Sequence, residues 1–312
     1  MPRFPHPSRT AWLAACLQLT GAVVLPLTAQ GPPLAPVADT IPGTAWTTRD
    51  WEVFQAKVRW GDAERLDTLP LGKAIVALGL TFVGATYTPA TLEVPGPERL
   101  VVNLRAFDCV TLIENVLALV RFIREDGVAL LADPPAARAR YERYLREWRY
   151  RGGVLDGYPS RLHYFSEWLG DNAARGRVLL LAQGLGGVAD ADPLYFMSAH
   201  PTAYRQLADP VVRDSIVAIE ARLGQGPPRW FLREDQIRQA EPGIQDGDLI
   251  AAMSTLPGLD VAHTGIALWM DGRLHLLHAP LVGRSVEISE LPLAERIRGI
   301  AAQDGVMVAR VR

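Results

Sequence analysis

The C-terminal third of the chain constrains the fold most, because short runs of alternating apolar and polar residues follow one another from Asp246 onwards. Strict alternation is typical of a strand with one buried face. Two of these runs, VAHTGIALWM and RLHLLHA, flank Asp271-Gly272, and such a pair between alternating runs is the leading short-range signal for a two-residue hairpin turn. The sequence therefore predicts an antiparallel sheet that contains one hairpin of defined register.

This turn determines which residues of the two strands face each other. Counting away from it along both strands places Leu268 opposite His275 and Gly265 opposite His278. Directly paired residues share a face of the sheet, and side chains alternate between faces. His263 should then lie diagonally from His278 on one face, at about 5–8 Å, while His275 points to the other face.

The residues before this sheet carry mostly helical patterns. Apolar residues at intervals of three and four predict helices within residues 49–66 and 69–89, and a further helix from Cys109 to about Arg124. A short strand is predicted at residues 99–104. Helical patterns also dominate a stretch from about residue 130 to 230. Helices thus precede strands along the chain, which predicts an α+β fold.

The first 29 residues have the pattern of an export signal. Arg3 and Arg9 precede an uncharged apolar stretch that ends in a plausible cleavage site after Ala29. We therefore expect a periplasmic or cell-envelope protein without a stable membrane span. Lipid attachment at Cys16, within LAAC, is the less favoured alternative because the apolar run before this motif is short.

The remaining chain is expected to form a proline-rich flexible lead-in over residues 30–46 and a single domain over residues 47–312. The whole chain has a net charge of only −2 and contains no long basic run. This composition does not suggest a nucleic-acid partner. We expect a monomer that acts on a small or neutral target.

Cys109 is the only thiol left once the signal is removed. Exported proteins usually pair their cysteines, so an unpaired one is either inert packing, a metal ligand or a nucleophile. Asp108 is a favoured N-cap residue, which would place Cys109 at the first position of its helix. The helix dipole and free N–H groups there favour a thiolate, and a histidine from the sheet could serve as its base.

The order FDCVTLIEN, GDLIAA, AHTGIAL and LLHAP resembles that of the NlpC-type, papain-like cell-wall peptidases and amidases, in particular their N-acetylmuramoyl-L-alanine amidase-like branch. The resemblance covers about residues 75–125 and 225–312. It implies a papain-like core, in which a nucleophile helix packs on an antiparallel sheet, with a helical insertion at about residues 130–230.

The resemblance also implies the roles of individual residues. Cys109 would be the nucleophile, His263 the base and His278 the group that orients His263. Tyr87, from a loop before the nucleophile, would line the site. The hairpin register, obtained independently, brings the same two histidines to one face. Glu114, in the nucleophile helix, is expected to pair with an arginine such as Arg105.

The implied reaction is hydrolysis of the amide between N-acetylmuramic acid and L-alanine in peptidoglycan or its muropeptides, without a metal or other cofactor. Candidate contacts to the peptide are Arg161, His163, Tyr164, Tyr195 and Ser198.

Three alternatives stay open. The same site could cut between D-glutamate and diaminopimelate, the three catalytic candidates could hold zinc, or the chain could be a non-catalytic cell-wall-binding module. Cys, His and His are good zinc ligands, but the sequence has no paired spacing such as C-x-x-C to support a zinc site.

Overall fold

A computed structural model describes residues 39–281 and 285–312. The α-helices are α1 (Thr48–Ala63), α2 (Leu71–Leu80), α3 (Cys109–Glu125), α4 (Pro134–Arg149), α5 (Phe165–Ala174), α6 (Phe196–Ala199), α7 (Pro210–Gly224), α8 (Ile237–Ala240) and α9 (Leu293–Arg298). The strands are β1 (Thr86–Tyr87), β2 (Ala106–Phe107), β3 (Val178–Leu180), β4 (Val188–Asp190), β5 (Arg229–Arg233), β6 (Leu249–Ser254), β7 (Val261–Met270), β8 (Arg273–His278), β9 (Glu287–Ile288) and β10 (Gln303–Val311). Short 3₁₀ turns lie at Val128–Ala132, Arg151–Gly153, Tyr158–Ser160, Pro201–Ala203, Arg205–Ala208 and Glu241–Gly243.

Eight strands form one antiparallel sheet in the order β4-β5-β10-β6-β7-β8-β9, and β3 pairs with β10 beside this path. The predicted α+β class with an antiparallel sheet is therefore confirmed. The hairpin register is also confirmed, because Met270 pairs with Arg273 and Leu268 with His275. Asp271 and Gly272 both have positive φ, 51° and 73°, as a type I′ turn requires.

Helix α3 packs against one face of this sheet. The apolar residues that it buries include Leu112, Val116 and Leu119, and they join a core that also contains Ile266 and Leu277 from the hairpin. A second apolar cluster covers the other face of the sheet, where α8 and α9 pack. Because the sheet is covered on both faces, α3 is fixed against β7 and its first residue has a defined place relative to that strand.

A buried ion pair joins α3 to the neighbouring helix α4. Arg149 Nε lies 2.7 Å from Glu114 Oε2, both side chains are 2% exposed, and Trp168 Nε1 donates to the same carboxylate at 3.3 Å. Glu114 thus pairs with Arg149, and the expected Arg105 partner was wrong. Arg105 instead pairs with Asp50 of α1 at 2.9 Å, a contact between elements that local sequence does not relate.

Residues 99–104 do not form the predicted strand. Leu100, Val102 and Leu104 are buried, as the apolar pattern implied, but side chains rather than a neighbouring strand satisfy this backbone. Arg149 Nη1 donates to Val101 O at 2.8 Å, and the Leu104 N–H donates to Asp50 Oδ1 at 3.0 Å. The expected helical insertion contains α4, α5 and α7, and it also contributes β3, β4 and part of β5 to the sheet.

The loop before α3 is hydrogen-bonded on both sides. Strand β1 pairs in parallel with β2, with Tyr87 next to Phe107. On its other side, the Gly84 N–H donates to Val286 O and the Val286 N–H donates to Ala85 O, both at 2.8 Å. The segment that carries Tyr87 therefore links the residues before α3 to those that lead into β9.

The predicted export signal lies outside the described residues, as does most of the lead-in. Trp46, at the end of the lead-in, is fully buried and packs edge-on against Phe54. Within residues 39–281 and 285–312, no helix is long and apolar enough to cross a membrane.

Candidate active site

Asp108 fixes the start of α3 and, with it, the position of Cys109. Its carboxylate accepts the N–H groups of Val110 and Thr111 at 3.1 and 2.8 Å, and the Thr111 hydroxyl accepts the Asp108 N–H at 3.0 Å. This reciprocal arrangement is a capping box. Cys109 is therefore the first helical residue, as the sequence predicted, and its thiol is free.

Two buried hydroxyl groups lie around the Cys109 sulfur. Thr264 is 1% exposed, and its hydroxyl and N–H approach the sulfur, where hydrogen bonds from both would favour a thiolate. Tyr87 is 6% exposed. Burial raises the pKa of its hydroxyl, and negative charge on Cys109 or Asp108 raises it further. Within residues 39–281 and 285–312, neither hydroxyl has another hydrogen-bond partner, so both remain available to a group bound at the sulfur.

The surroundings of the half-buried Cys109 raise the pKa of its thiol, whereas the sequence led us to expect a favoured thiolate. Burial, and then the negative charge of Asp108, raise the pKa of Cys109 to about 11, and the hydrogen bonds from Thr264 only partly offset this. The helix N-terminus does favour the anion. The cap that creates this N-terminus is itself a carboxylate, however, and its charge acts in the opposite direction.

The structure brings His263 and His278 into direct contact. His263 Nε2 lies 2.8 Å from His278 Nδ1, and the rings meet edge to face with centroids 4.9 Å apart. The residues are 7% and 2% exposed. Burial lowers the pKa of His263 well below its usual value, and it lowers the pKa of His278 to about 3. Both rings are therefore neutral near pH 7.

His263 directly precedes Thr264, the β7 residue that approaches the Cys109 sulfur. The β6–β7 register shifts beside His263: Ala252 pairs with His263, whereas Met253 pairs with Val261. One extra residue, Ala262, is thus inserted in β7. Such bulges redirect side chains at strand ends. No register shift interrupts the pairing of β7 with β8.

Gly265 of β7 lies in a crowded part of the hairpin. A Cβ atom at Gly265 would lie 2.6 Å from the Leu276 side chain and 2.9 Å from Leu277 O. The neighbours that exclude a side chain are therefore these two leucines.

The contact between His263 Nε2 and His278 Nδ1 can form in two tautomeric states, and one of them leaves His263 Nδ1 without a proton. With a proton on His263 Nε2, that group donates to His278 Nδ1, and His278 then carries its own proton on Nε2. This Nε2 is buried and unpartnered within the described ranges, and Glu287 Oε1 lies 3.9 Å from it. In this state His263 Nδ1 keeps its lone pair and can accept a proton.

Three of the candidate peptide contacts are engaged inside the protein. Arg161 is 5% exposed and pairs with Glu93. His163 Nε2 lies 2.9 Å from Tyr158 O. The Tyr164 hydroxyl donates to Glu220 at 2.6 Å.

The other two candidates are more open to solvent. Tyr195 is 41% exposed, and its ring packs over Gly258, where a Cβ atom would lie 2.9 Å from it. The Ser198 hydroxyl donates to Tyr195 O at 3.1 Å. These two residues therefore lie together, in the same part of the fold as Tyr164, whose hydroxyl accepts the Met197 N–H at 3.1 Å.

Across residues 39–281 and 285–312, no three or more His, Cys, Asp or Glu side chains are grouped so that they could hold a metal ion. In the histidine pair, a nitrogen of each ring is directed at the other ring instead.

Sequence reasoning missed Thr264 and Glu287. Thr264 is a polar residue at a strand position that faces α3, and this mismatch could have been noticed. Glu287 lies opposite His278 in the β8–β9 ladder. No tight-turn signal joins these two strands, so their register could not be derived as it was for the preceding hairpin.

Comparison with known proteins finds a match over residues 77–303 to the family model described as AmiA-like, N-acetylmuramoyl-L-alanine amidase-like. Two crystal structures of an N-acetylmuramoyl-L-alanine amidase from Bacteroides uniformis are 32% and 33% identical to this chain. Each covers 77% of this chain and 98% of its own, with a TM-score of 0.70. A Legionella pneumophila protein shares the fold at 18% identity, with a TM-score of 0.59 over 83% of this chain and 95% of its own. No curated protein matches.

Proposed function

Because the chain belongs to the AmiA-like, N-acetylmuramoyl-L-alanine amidase-like family, we propose that it is a cysteine-dependent amidase. Its substrate would be the amide between the lactyl group of N-acetylmuramic acid and L-alanine, in peptidoglycan or in muropeptides. We also propose that its core is papain-like and of the NlpC type, with Cys109 as nucleophile.

One observation carries this proposal. The only described free thiol begins a helix and touches Thr264, whose preceding residue, His263, is hydrogen-bonded to a second buried histidine at 2.8 Å. A nucleophile, a base and a third group that orients the base make up the general arrangement of a catalytic triad, and we propose that Cys109, His263 and His278 have these roles. The support comes from the arrangement of these residues, and substitution of each one tests its role.

In the first step, His263 Nδ1 takes the proton of Cys109 as the sulfur attacks the lactyl carbonyl. Because the thiol and both imidazoles are neutral at rest, this proton moves during the attack, and no ion pair forms beforehand. His278 accepts a hydrogen bond from His263 Nε2 and stabilises the imidazolium that results. Glu287, near the far nitrogen of His278, favours the tautomer that this step requires.

The tetrahedral intermediate places a negative charge on the former carbonyl oxygen. The Cys109 N–H and the unpartnered Tyr87 hydroxyl are the proposed donors to it. A single oxyanion donor contributes about 2.7–4 kcal/mol in comparable sites. His263 then returns its proton to the amine of L-alanine, the peptide leaves, and the muramyl group stays on sulfur as a thioester. Water, activated by His263, releases it as a carboxylic acid.

The candidate peptide contacts divide into two groups under this proposal. Tyr195 and Ser198 lie in an accessible region and would contact the substrate. Arg161, His163 and Tyr164 are held by other protein groups, so they would act by shaping the wall against which the peptide lies. We further propose an exported, monomeric, single-domain enzyme that needs no cofactor.

Mass spectrometry of a defined disaccharide-peptide digested by the purified chain tests the proposal. We expect free disaccharide and a peptide that begins with L-alanine, and we expect Cys109→Ser to abolish both products while leaving the circular dichroism spectrum unchanged. Cleavage after D-glutamate would identify the endopeptidase alternative. Full activity of Cys109→Ser would exclude the cysteine mechanism. Binding to cell-wall sacculi without any product would favour the non-catalytic module.

A further inference from the structure

A cavity of about 480 Å³ lies at the other end of the nucleophile helix. The α3 residues that line it, from Leu117 to Glu125, are eight to sixteen positions beyond Cys109. At 1.5 Å per residue this is about 12–24 Å along the helix axis. The cavity is therefore separate from the candidate active site, and its volume is within the range of small-molecule sites.

Arginines outnumber acidic side chains in the wall of the cavity. It is lined by Arg121, Arg124, Arg175, Arg177 and Arg312. Glu125 is the one acidic side chain among its lining residues.

The pairing of these arginines leaves a positive charge over. Arg121 and Arg177 share the carboxylate of Glu147, each at 2.6 Å, and Arg121 also pairs with Glu125 at 2.8 Å. Arg175 pairs with Asp171. Arg124 donates to two carbonyl oxygens, of Leu66 and Leu69, at 2.9 and 2.8 Å. It has no carboxylate partner in the part of the chain that the structure describes, so its charge is available to an anion.

Two residues that line the cavity each have a buried donor without an acceptor within residues 39–281 and 285–312. The donors are Nε1 of Trp148, a residue that is 3% exposed, and Nε of Arg177. The Arg177 guanidinium lies over the Trp148 ring, 5.4 Å from its centroid, so the two side chains are neighbours. A buried donor without an acceptor costs about 1–3 kcal/mol. A ligand that brings an acceptor to this place would recover that free energy.

The rest of the wall is aliphatic. Leu71 and Ile75 of α2, Leu117 and Val120 of α3, and Val311 of β10 line the cavity. Inorganic anions alone would leave this surface in contact with water. The wall therefore favours a ligand with an apolar part as well as a charged one.

From this combination we propose that the cavity is a binding site for a small amphiphilic anion. Its acidic head, a carboxylate or a phosphate, accepts hydrogen bonds from Trp148 and Arg177 near the positive charge of Arg124. Its alkyl part packs against the aliphatic wall. The proposal does not depend on the amidase function, since none of these residues contacts Cys109 or the histidine pair.

Isothermal titration calorimetry of the full chain tests the ligand class. Octanoate and octyl phosphate provide the two head groups, octyl glucoside provides the tail without charge, and acetate and inorganic phosphate provide the heads without tails. We expect at least one charged octyl compound to bind at least ten times more tightly than octyl glucoside or either head alone. Equal affinity for octyl glucoside would overturn the proposal, and so would no binding of either charged compound.

Variants test the place of binding. Arg177→Lys keeps the positive charge but removes the Nε donor, and we expect about tenfold weaker binding, as for loss of one charge-assisted hydrogen bond. Arg151→Lys is the matched control, because Arg151 is similarly exposed but lies outside the cavity. It should bind as the parent does. Equal affinities of the parent and Arg177→Lys would contradict the assignment.

Two further experiments ask whether the anion is a free molecule or a lipid head group, and whether its binding depends on the candidate active site. Sedimentation with phosphatidylglycerol vesicles asks whether the anion is a lipid head group in a membrane. We expect no sedimentation, and vesicle binding without binding of free octyl compounds would refute a small-molecule site. The titration is repeated with Cys109→Ser. We expect unchanged affinity whether or not the amidase proposal is correct. Loss of binding in Cys109→Ser would contradict a cavity that is separate from the candidate active site.

Discussion

Replacing Asp108 with asparagine should make Cys109 more acidic without disturbing its helix. The Asp108 charge is, after burial, the second cause of the raised Cys109 pKa, which is about 11. Two unit charges about 6 Å apart interact by about 2.8 kcal/mol at an effective dielectric of about 20, which corresponds to about two pKa units. Screening reduces this, so we expect the pKa of Cys109 to fall by about one to two units.

Asparagine is as good an N-cap as aspartate, and its carbonyl oxygen can accept the same N–H groups of Val110 and Thr111. The assay is the rate of Cys109 alkylation by iodoacetamide from pH 7 to about 12, fitted to one ionisation whose midpoint gives the thiol pKa. Asp108→Ala is the control: it also removes the charge, but it loses the cap and about 1 kcal/mol of stability.

An unchanged or higher midpoint in Asp108→Asn, with the helix intact, would refute the electrostatic reasoning. The same assay bears on the catalytic proposal. Because the resting thiol is protonated, the parent should react slowly near neutral pH even if Cys109 is the nucleophile. Slow labelling alone therefore does not identify an inert cysteine.

Further predictions concern the sheet. His278→Ala should lower amidase kcat by about 10²-fold or more, whereas His275→Ala should have a mild effect per folded molecule; steady-state kinetics decides, and the reverse outcome would remove His278 from the site. His278 has a folded pKa near 3, below its usual 6.5, so the unfolded chain binds its proton first and stability falls as pH drops below about 6.5. Between pH 7 and 4, urea unfolding should show a loss of stability that is about 3 kcal/mol larger in the parent than in His278→Asn, and equal pH dependence in both proteins would contradict this. Gly265→Ala should cost about 1–3 kcal/mol, because its Cβ atom would meet Leu277 O at 2.9 Å. Gly170→Ala, with open space around its Cβ position in α5, should be neutral or stabilising, and similar midpoints for the two variants would argue against crowding at Gly265.

The parts of the site that could be derived from sequence depend on strictly local rules. Asp271-Gly272 sets a two-residue turn, so every pair of the hairpin follows by counting, and Asp108 marks the first turn of α3. Chemistry within a few residues determines both features. The proximity of His263 and His278 therefore follows from the amino-acid sequence alone.

The features that sequence reasoning got wrong involve distant partners or burial. Residues 99–104 have a strand-like pattern, but Asp50 and Arg149 take their backbone groups, and no local rule reveals such a side chain. The choice of Arg149 over Arg105 as partner of Glu114 has the same cause. The protonated state of Cys109 was missed because the helix dipole can be inferred locally, whereas the burial of a thiol cannot.

Residues 84–88 form a spacer of fixed length between the two halves of the candidate site. One edge is hydrogen-bonded to the chain entering the nucleophile helix, and the other edge to the chain that leads to Glu287. A single inserted residue would turn the Tyr87 ring to the opposite side of its strand, or would offset one of the two ladders. Engineering that seeks to widen the specificity of this protein should therefore change side chains around this stretch and preserve its number of residues.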